Sequence, residues 1–315
     1  PAHVVGDYPE WLAPHFARVF ADKAAEVGAS LAQRAPVDLR ANSLKAPVSK
    51  VMKALEKFRP VAGPLSPLSV RIEAPPADGR NPNVEAEPAH GKGWFEVQDS
   101  GSQVAALLSG ARPGEQVLDL CAGGGGKTLA LAAMMQNKGQ IHATDNDRHR
   151  LRPIFDRLKR AGAHNVQVIP ADEPEKLAAL KAKLDLVLVD APCSGSGSWR
   201  RKPDAKWRLK PEALATRIGE QKAVLDQAAG LVKPGGRLVY ITCSLFAEEN
   251  TDQLADFLTR HPQFRILPTA EAWAQAGLSG AAPVSADGRS DTLLLTPRDH
   301  GTDGFFISIL TNATA

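Results

Sequence analysis

The sequence predicts an α/β fold: a Rossmann-like, doubly wound sheet with an antiparallel pair of strands at one edge, preceded by a small α+β unit. Three observations predict it. From Trp94 onward, short apolar runs of strand type alternate with helical stretches. One run, LDLVLVDAP from Leu184, is apolar on both faces, as a central parallel strand must be. Near the C-terminus, DTLLLTP from Asp291 and DGFFISIL from Asp303 lie too close together for a helical crossover, so they pair antiparallel.

Residues 1–92 read as the small unit. EWLAPHFARVFADKAAEVGASLAQ from Glu10 is expected to be helical, VDLRANSL from Val37 extended, VSKVMKALEKF from Val48 helical, and LSVRIEA from Leu68 a strand. PPADGRNPNVEAEPAHGKG, Pro75 to Gly93, is rich in Pro, Gly and Asn and reads as a linker or long exposed loop. Residues 93–315 form the larger unit. QVLDL is its first strand, KTLALAAMM the helix after a glycine turn, QIHATD the second strand, and DRHRLRPIFDRLKRAG a helix. VQVIPAD is the third strand and LDLVLVDAP the fourth. PEALATRIGEQKAVLDQAAGLV is a long helix stopped by KPGG, RLVYITCS the fifth strand, and EENTDQLADFLTRH the next helix.

Composition narrows the class. A chain of 315 residues with 43% hydrophobic and 23% charged residues suits a globular protein. No apolar run approaches the roughly 20 residues that span a bilayer, and PAHVVGDYPEWL lacks the basic-then-apolar pattern of a signal peptide. The missing initial methionine allows for a segment upstream of Pro1. Three scattered cysteines make neither a disulfide framework nor a metal site, so the cytoplasm is the expected setting and no metal is expected. The net charge of +3 is too small to argue for nucleic acid, but SWRRKPDAKWRLK, Ser198 to Lys210, carries six basic residues and two tryptophans. Basic residues interleaved with flat aromatics suit phosphates and stacked bases. The similarly basic Arg148–Arg160 stretch reads as the solvated face of an amphipathic helix.

In doubly wound sheets, ligands bind beyond the carboxyl ends of the strands. VLDLCAGGGGKT, Val117 to Thr128, lies on that rim and resembles a phosphate loop. The pattern G-x-x-x-x-G-K-[ST], however, requires glycine where Cys121 stands, and the G-x-G-x-x-G fingerprint requires glycine where Thr128 stands. A looser rule fits: a glycine turn for close backbone approach, followed some 20 residues later by an acid for ribose hydroxyls. Asp145 is that acid. Its charge would repel a crowd of phosphates, and Lys127 would then serve a carboxylate or backbone carbonyl. S-adenosylmethionine, an adenosine with an amino-acid tail and no phosphate, satisfies these demands.

Cys193 in DAPCSGSG and Cys243 in ITCS follow the fourth and fifth strands, fifty residues apart. Each alone suits a buried small hydrophobe. Together on the ligand rim they suit pyrimidine chemistry, in which a thiolate adds to carbon 6 and makes carbon 5 nucleophilic toward a sulfonium methyl. An acid at ring nitrogen 3 steadies the intermediate, a base removes the carbon 5 proton, and the cysteine leaves. The base must lie outside a paired helix.

These motifs, with WFEVQDSGSQ and the terminal DGFF, resemble the RsmB/Nop2/Sun family of RNA cytosine-C5 methyltransferases over about Trp94 to Leu310. The first ninety residues resemble, more weakly, that family's RNA-recognition-like domain. The resemblance implies an S-adenosylmethionine-dependent methyltransferase fold, with Cys243 as nucleophile and Cys193 assisting breakdown of the covalent intermediate. The spacing of the residues does not itself rank the two thiols. The resemblance also implies that Cys121, Ala122, Gly123, Gly124, Gly125, Gly126, Lys127, Asp145, Asp172 and Asp190 surround the cofactor, with Asp190 also facing the cytosine. The family loop usually reads CAAPGGKT, so Gly123-Gly124 is a departure, expected to make the loop floppier. No counterpart of the helical N-terminal extension of some members is recognised. The implied partner is RNA, with ribosomal RNA favoured and transfer RNA the alternative; a second alternative is an RNA-binding ribosome-assembly factor with secondary methylation activity, and neither a membrane nor an obligate protein partner is expected.

Overall fold

The computed structural model describes residues 1–76 and 79–313. Four strands form a small antiparallel sheet: β1 (Val37–Ala41), β2 (Val61–Ala62), β3 (Ser69–Ile72) and β4 (Phe95–Val97), in the order β2-β3-β1-β4. The helix Val48–Ala54 covers it, and Leu39, Val51, Leu55, Val70 and Phe95 fill the space between.

The large sheet contains β5 (Gln116–Asp119), β6 (Gln140–Ala143), β7 (Val166–Val168), β8 (Leu184–Asp190), β9 (Val232–Thr242), β10 (Phe264–Leu267), β11 (Leu293–Leu295) and β12 (Phe305–Asn312). Its order is β10-β12-β9-β8-β5-β6-β7, with β11 also paired to β12. The β7-β6-β5-β8-β9 portion is parallel, and β12 runs antiparallel to β9, β10 and β11. The fold is therefore the expected Rossmann-like sheet with an antiparallel edge. The edge is one strand wider than the sequence suggested, because β10 (FRIL) is too short and too mixed in polarity to announce itself. Apolar side chains fill both faces of β8, as its run of leucines and valines requires.

The small unit does not end where composition changes. The division expected after residue 92 falls between β3 and β4 of one sheet, and residues before Val37 pack with the large core. The helix expected from Glu10 breaks at Ala21, whose φ of +50° separates Ala13–Phe20 from Ala24–Ala32. Phe16 stacks on Tyr8 at 4.3 Å and meets Trp199 and Phe246 at 6.2 and 5.9 Å. The Pro75–Gly93 stretch includes residues 77 and 78, which lie outside the described residues. Farther along, Val84 and Ala89 turn inward onto the small sheet instead of lying in an exposed loop.

Other boundaries shift for local reasons. Pro153 divides the Asp147–Gly162 helix into Arg148–Leu151 and Ile154–Ala161. β7 stops at Val168, before Pro170. β9 begins at Val232 and absorbs KPGG through an irregular register against Leu184 and Leu186, with Gly235 at φ +73°.

The basic stretch Ser198–Lys210 also differs from its expected role. Trp199 is buried in the large core. Arg200 and Arg201 are bound to Asp99 and Asp303, and buried Lys206 is paired with Asp7. Within this stretch one of the two tryptophans and three of the six cations that looked suited to nucleic acid are structural, while Trp207 remains exposed.

Candidate active site

The glycine turn is braced from several sides. Gly125, at φ +82°, caps the helix Gly126–Met134, and a Cβ there would lie 2.5 Å from Ile154 Cγ1. Gly123, at φ +50°, donates its N–H to Asp145 Oδ2 at 2.9 Å. Ala122 donates to the Thr144 carbonyl at 2.9 Å. Arg157 donates to the Gly124 carbonyl at 2.7 Å and is itself held by Glu96 of β4. Arg40 of β1 reaches the Gly126 carbonyl at 3.4 Å. The small sheet therefore supports the turn directly, and both extra glycines are held by hydrogen bonds, Gly123 to Asp145 and Gly124 to Arg157.

Asp145 is 4% exposed; besides Gly123 it accepts from the Asp147 N–H at 2.8 Å. With Cys121 it lines a cavity of about 660 Å³, shared with Asn146, Arg150, Pro192 and the helix Pro211–Ala229. That helix, which contributes Arg217, Glu220 and Gln227, carries no motif that would have exposed its role. Of the predicted cofactor residues, Cys121 and Asp145 line this cavity, whereas Ala122 to Lys127, Asp190 and Asp172 are not in its lining. Asp172 is exposed and faces a second cavity with Arg152 and Phe155, because β7 ends four residues earlier.

Lys127 is buried and directs Nζ to Asp190 Oδ2 at 2.6 Å, with the Phe305 ring centroid 5.3 Å away. Thr128 donates its hydroxyl to Asp119 Oδ2 at 2.7 Å. Burial pushes the Asp119 pKa up to about 7, against the opposing pull of the Thr128 hydrogen bond. Its Oδ1 has no hydrogen-bond partner among the described residues. Burial, reinforced by Asp119, also raises the Cys121 pKa, which keeps this cysteine a neutral thiol.

β8 and β9 are neighbours, so the loops after them meet. Cys193 Sγ and Cys243 Sγ lie 3.3 Å apart, both partly accessible. The Cys193 loop is tied down by Gly197, which donates to the Cys243 carbonyl at 2.9 Å. Gly197 also packs on Gly304 so closely that a Cβ would lie 2.3 Å from the Gly304 carbonyl oxygen. The contact with Cys243, followed by burial, raises the Cys193 pKa. Sequence reasoning missed Glu249, which is fully buried and accepts from Ser194 and Ser244, the residues following the two cysteines. Its place in the EEN stretch reads only as the start of a helix. Among the described residues, no cluster of His, Cys, Asp and Glu could hold a metal ion, and no helix is long and apolar enough to cross a membrane.

A glycine turn, an acid after the second strand and paired thiols after the fourth and fifth share one rim. The sequence model of the 16S rRNA methyltransferase RsmB/F family matches residues 106–311. The chain belongs to this family. It is 32% identical to a probable ribosomal RNA small subunit methyltransferase B of Synechocystis over 97% of its own length and 67% of the relative's. The corresponding figures for the Photorhabdus laumondii ribosomal RNA small subunit methyltransferase B are 32%, 96% and 66%. The chain thus spans about two thirds of the length of these curated relatives. Among solved structures, a methyltransferase homolog from Pyrococcus horikoshii aligns with a TM-score of 0.79 at 26% identity, covering 99% of this chain and 97% of the other. NSun6 from the same organism, solved with SFG, has the same fold: its TM-score is 0.83 at 22% identity, covering 99% and 100%. The membership agrees with the resemblance carried by the motifs. Gly123 adopts a left-handed conformation.

Proposed function

We propose that this chain is an RNA (cytosine-C5) methyltransferase that acts on ribosomal RNA through a covalent cysteine–cytosine intermediate. The observation that carries the reading is the 3.3 Å separation of Cys193 and Cys243 on the same rim as the glycine turn. One thiol could serve packing, but two in contact at neighbouring strand ends suit a nucleophile and a group that assists its release.

The cavity beside Cys121 fits S-adenosylmethionine: it is large enough for a nucleoside, and a buried carboxylate, Asp145, stands where ribose hydroxyls would be held. S-adenosylmethionine bound there supplies an electrophilic methyl group. Cys121–Lys127 and Asp145 hold it, while Asp190, one third exposed, faces the reaction and is oriented by Lys127. Cys243 adds as thiolate to carbon 6 of the cytosine, and the ring electrons shift to carbon 5. After methylation of carbon 5, loss of its proton to a base restores the ring double bond and expels Cys243. Cys193 assists that expulsion. The small sheet, whose β1 and β4 brace the glycine turn, contacts the RNA.

The test is methyl incorporation from labelled S-adenosylmethionine into 16S rRNA, transfer RNA and DNA. Incorporation into 16S rRNA that disappears in Cys243→Ala supports the reading. Full activity of Cys243→Ala overturns the covalent mechanism, and a preference for transfer RNA or DNA overturns the substrate.

A further inference from the structure

Glu249 is a buried carboxylate with an unusual set of partners. Oε1 accepts from the Ser194 N–H at 2.7 Å and from Gln221 Nε2 at 3.0 Å. Oε2 accepts from the Ser194 hydroxyl at 2.5 Å and from the Ser244 hydroxyl. Glu249 forms no ion pair among the described residues, so every group compensating its burial is a neutral donor. Its main chain is fixed as well: the N–H donates to the Phe246 carbonyl at 3.1 Å, and the carbonyl accepts from the Tyr240 hydroxyl at 2.6 Å.

Ser194 follows Cys193 and Ser244 follows Cys243. Main-chain bonds join the two loops on either side of the thiols, Ala191 N–H to the Ile241 carbonyl at 2.8 Å and Gly197 N–H to the Cys243 carbonyl at 2.9 Å, but neither engages the residue that follows each cysteine. We infer that Glu249 is a positioning residue that sets the spacing of Cys193 and Cys243 by gripping the residue after each of them. This rests on the proposed covalent mechanism for its purpose, because two thiols acting in succession on one ring must keep a fixed separation. The geometry itself does not depend on that mechanism. One carboxylate shared by two loops transmits any movement of one to the other.

Length and charge can be separated by substitution. Glu249→Gln keeps the reach: its carbonyl still accepts from the Ser194 N–H and Gln221, and its amide donates to serine hydroxyls that can turn to accept. Glu249→Asp keeps the charge but is one methylene too short to hold both loops. A positioning role therefore requires Asp to be the more damaging change. A role for the charge itself, in electrostatics or as a base, requires Gln to be worse.

Spacing is read directly with phenylarsine oxide. Two adjacent thiols form two As–S bonds with it, and the oxygen leaves as water with the two thiol protons. Cys243→Ala serves as the control without capture, and S-adenosylmethionine affinity, measured by titration, reports the intact fold. The expected result is capture and turnover within a few-fold of the parent for Glu249→Gln. Glu249→Asp loses at least about tenfold in both, the range for one lost hydrogen bond to a charged group, with cofactor affinity unchanged. Parent-like capture in Glu249→Asp, or a loss in Glu249→Gln as large as in Glu249→Asp, overturns the inference. If Glu249→Asp does not fold, Ser244→Ala removes one arm of the grip and must reproduce the loss of capture; parent-like capture there overturns it too. Capture needs no RNA, so it succeeds or fails independently of methyl transfer by the cysteines.

Discussion

Lys127 Nζ and Asp190 Oδ2, 2.6 Å apart, join the helix behind the glycine turn to the end of β8. The lysine is 7% exposed and the aspartate 34% exposed at the side chain, so the pair is closed on the core side and open on the rim. Asp190→Asn leaves a buried ammonium without its counter-ion. We expect a stability loss of about 1–2 kcal/mol, less than for a fully buried pair because the aspartate is partly solvated. Methyl transfer should fall by about 100-fold, the scale of losing one preorganised group at a reacting centre. Urea unfolding and initial rates measure the two effects.

Asp145 pins the turn through the Gly123 N–H, and its removal should be felt first by the cofactor. Asp145→Ala is expected to raise the S-adenosylmethionine dissociation constant by about 10- to 100-fold, as for hydrogen bonds to a charged acceptor. Isothermal titration measures it, and an unchanged constant would place the nucleoside elsewhere.

The two left-handed glycines of the turn should differ in their tolerance. At Gly123 the nearest atom to an added Cβ is Arg150 Nη2 at 3.3 Å, the end of a flexible side chain, so Gly123→Ala should cost about 1 kcal/mol of backbone strain. At Gly125 the added atom meets Ile154 Cγ1 at 2.5 Å, so Gly125→Ala should cost roughly 2–4 kcal/mol. Thermal melts of the two variants should rank in that order.

Asp119 gives stability a pH dependence. Its pKa is about 7 in the folded chain because of burial, and near the ordinary carboxylate value of about 3.9 when unfolded. The folded state binds the proton more tightly, so this contribution is complete below pH about 4 and is lost as pH rises to about 7. Asp119→Asn cannot titrate. The parent should therefore lose stability relative to this variant between pH 5 and pH 8, as followed by thermal unfolding.

Much of the candidate site was legible in position because its residues lie in short segments at strand ends. Cys193 and Cys243 sit just beyond strands whose apolar runs are unmistakable, and the glycine turn follows another such strand. Asp172 stands on a different cavity from Asp145, because periodicity cannot say where a strand stops and β7 ends at Val168, before Pro170. Glu249 was hidden for a different reason: a buried carboxylate held by neutral donors from distant loops leaves no pattern in sequence. Arg200, Arg201 and Lys206 looked like a surface because their counter-charges Asp99, Asp303 and Asp7 lie about one to two hundred residues away. The small unit was cut too early because β4 is only three residues long.

The packing of the first helices against Trp199 and Phe246 bears on how the chain is made. His15 meets Glu248, 233 positions later in the sequence. At about 5–20 residues per second of synthesis, Phe16 waits roughly 10–50 s for Trp199 and Phe246 to emerge. The aromatic contacts among Phe16, Trp199 and Phe246 can close only after translation has passed residue 246, so this part of the core is completed late in synthesis.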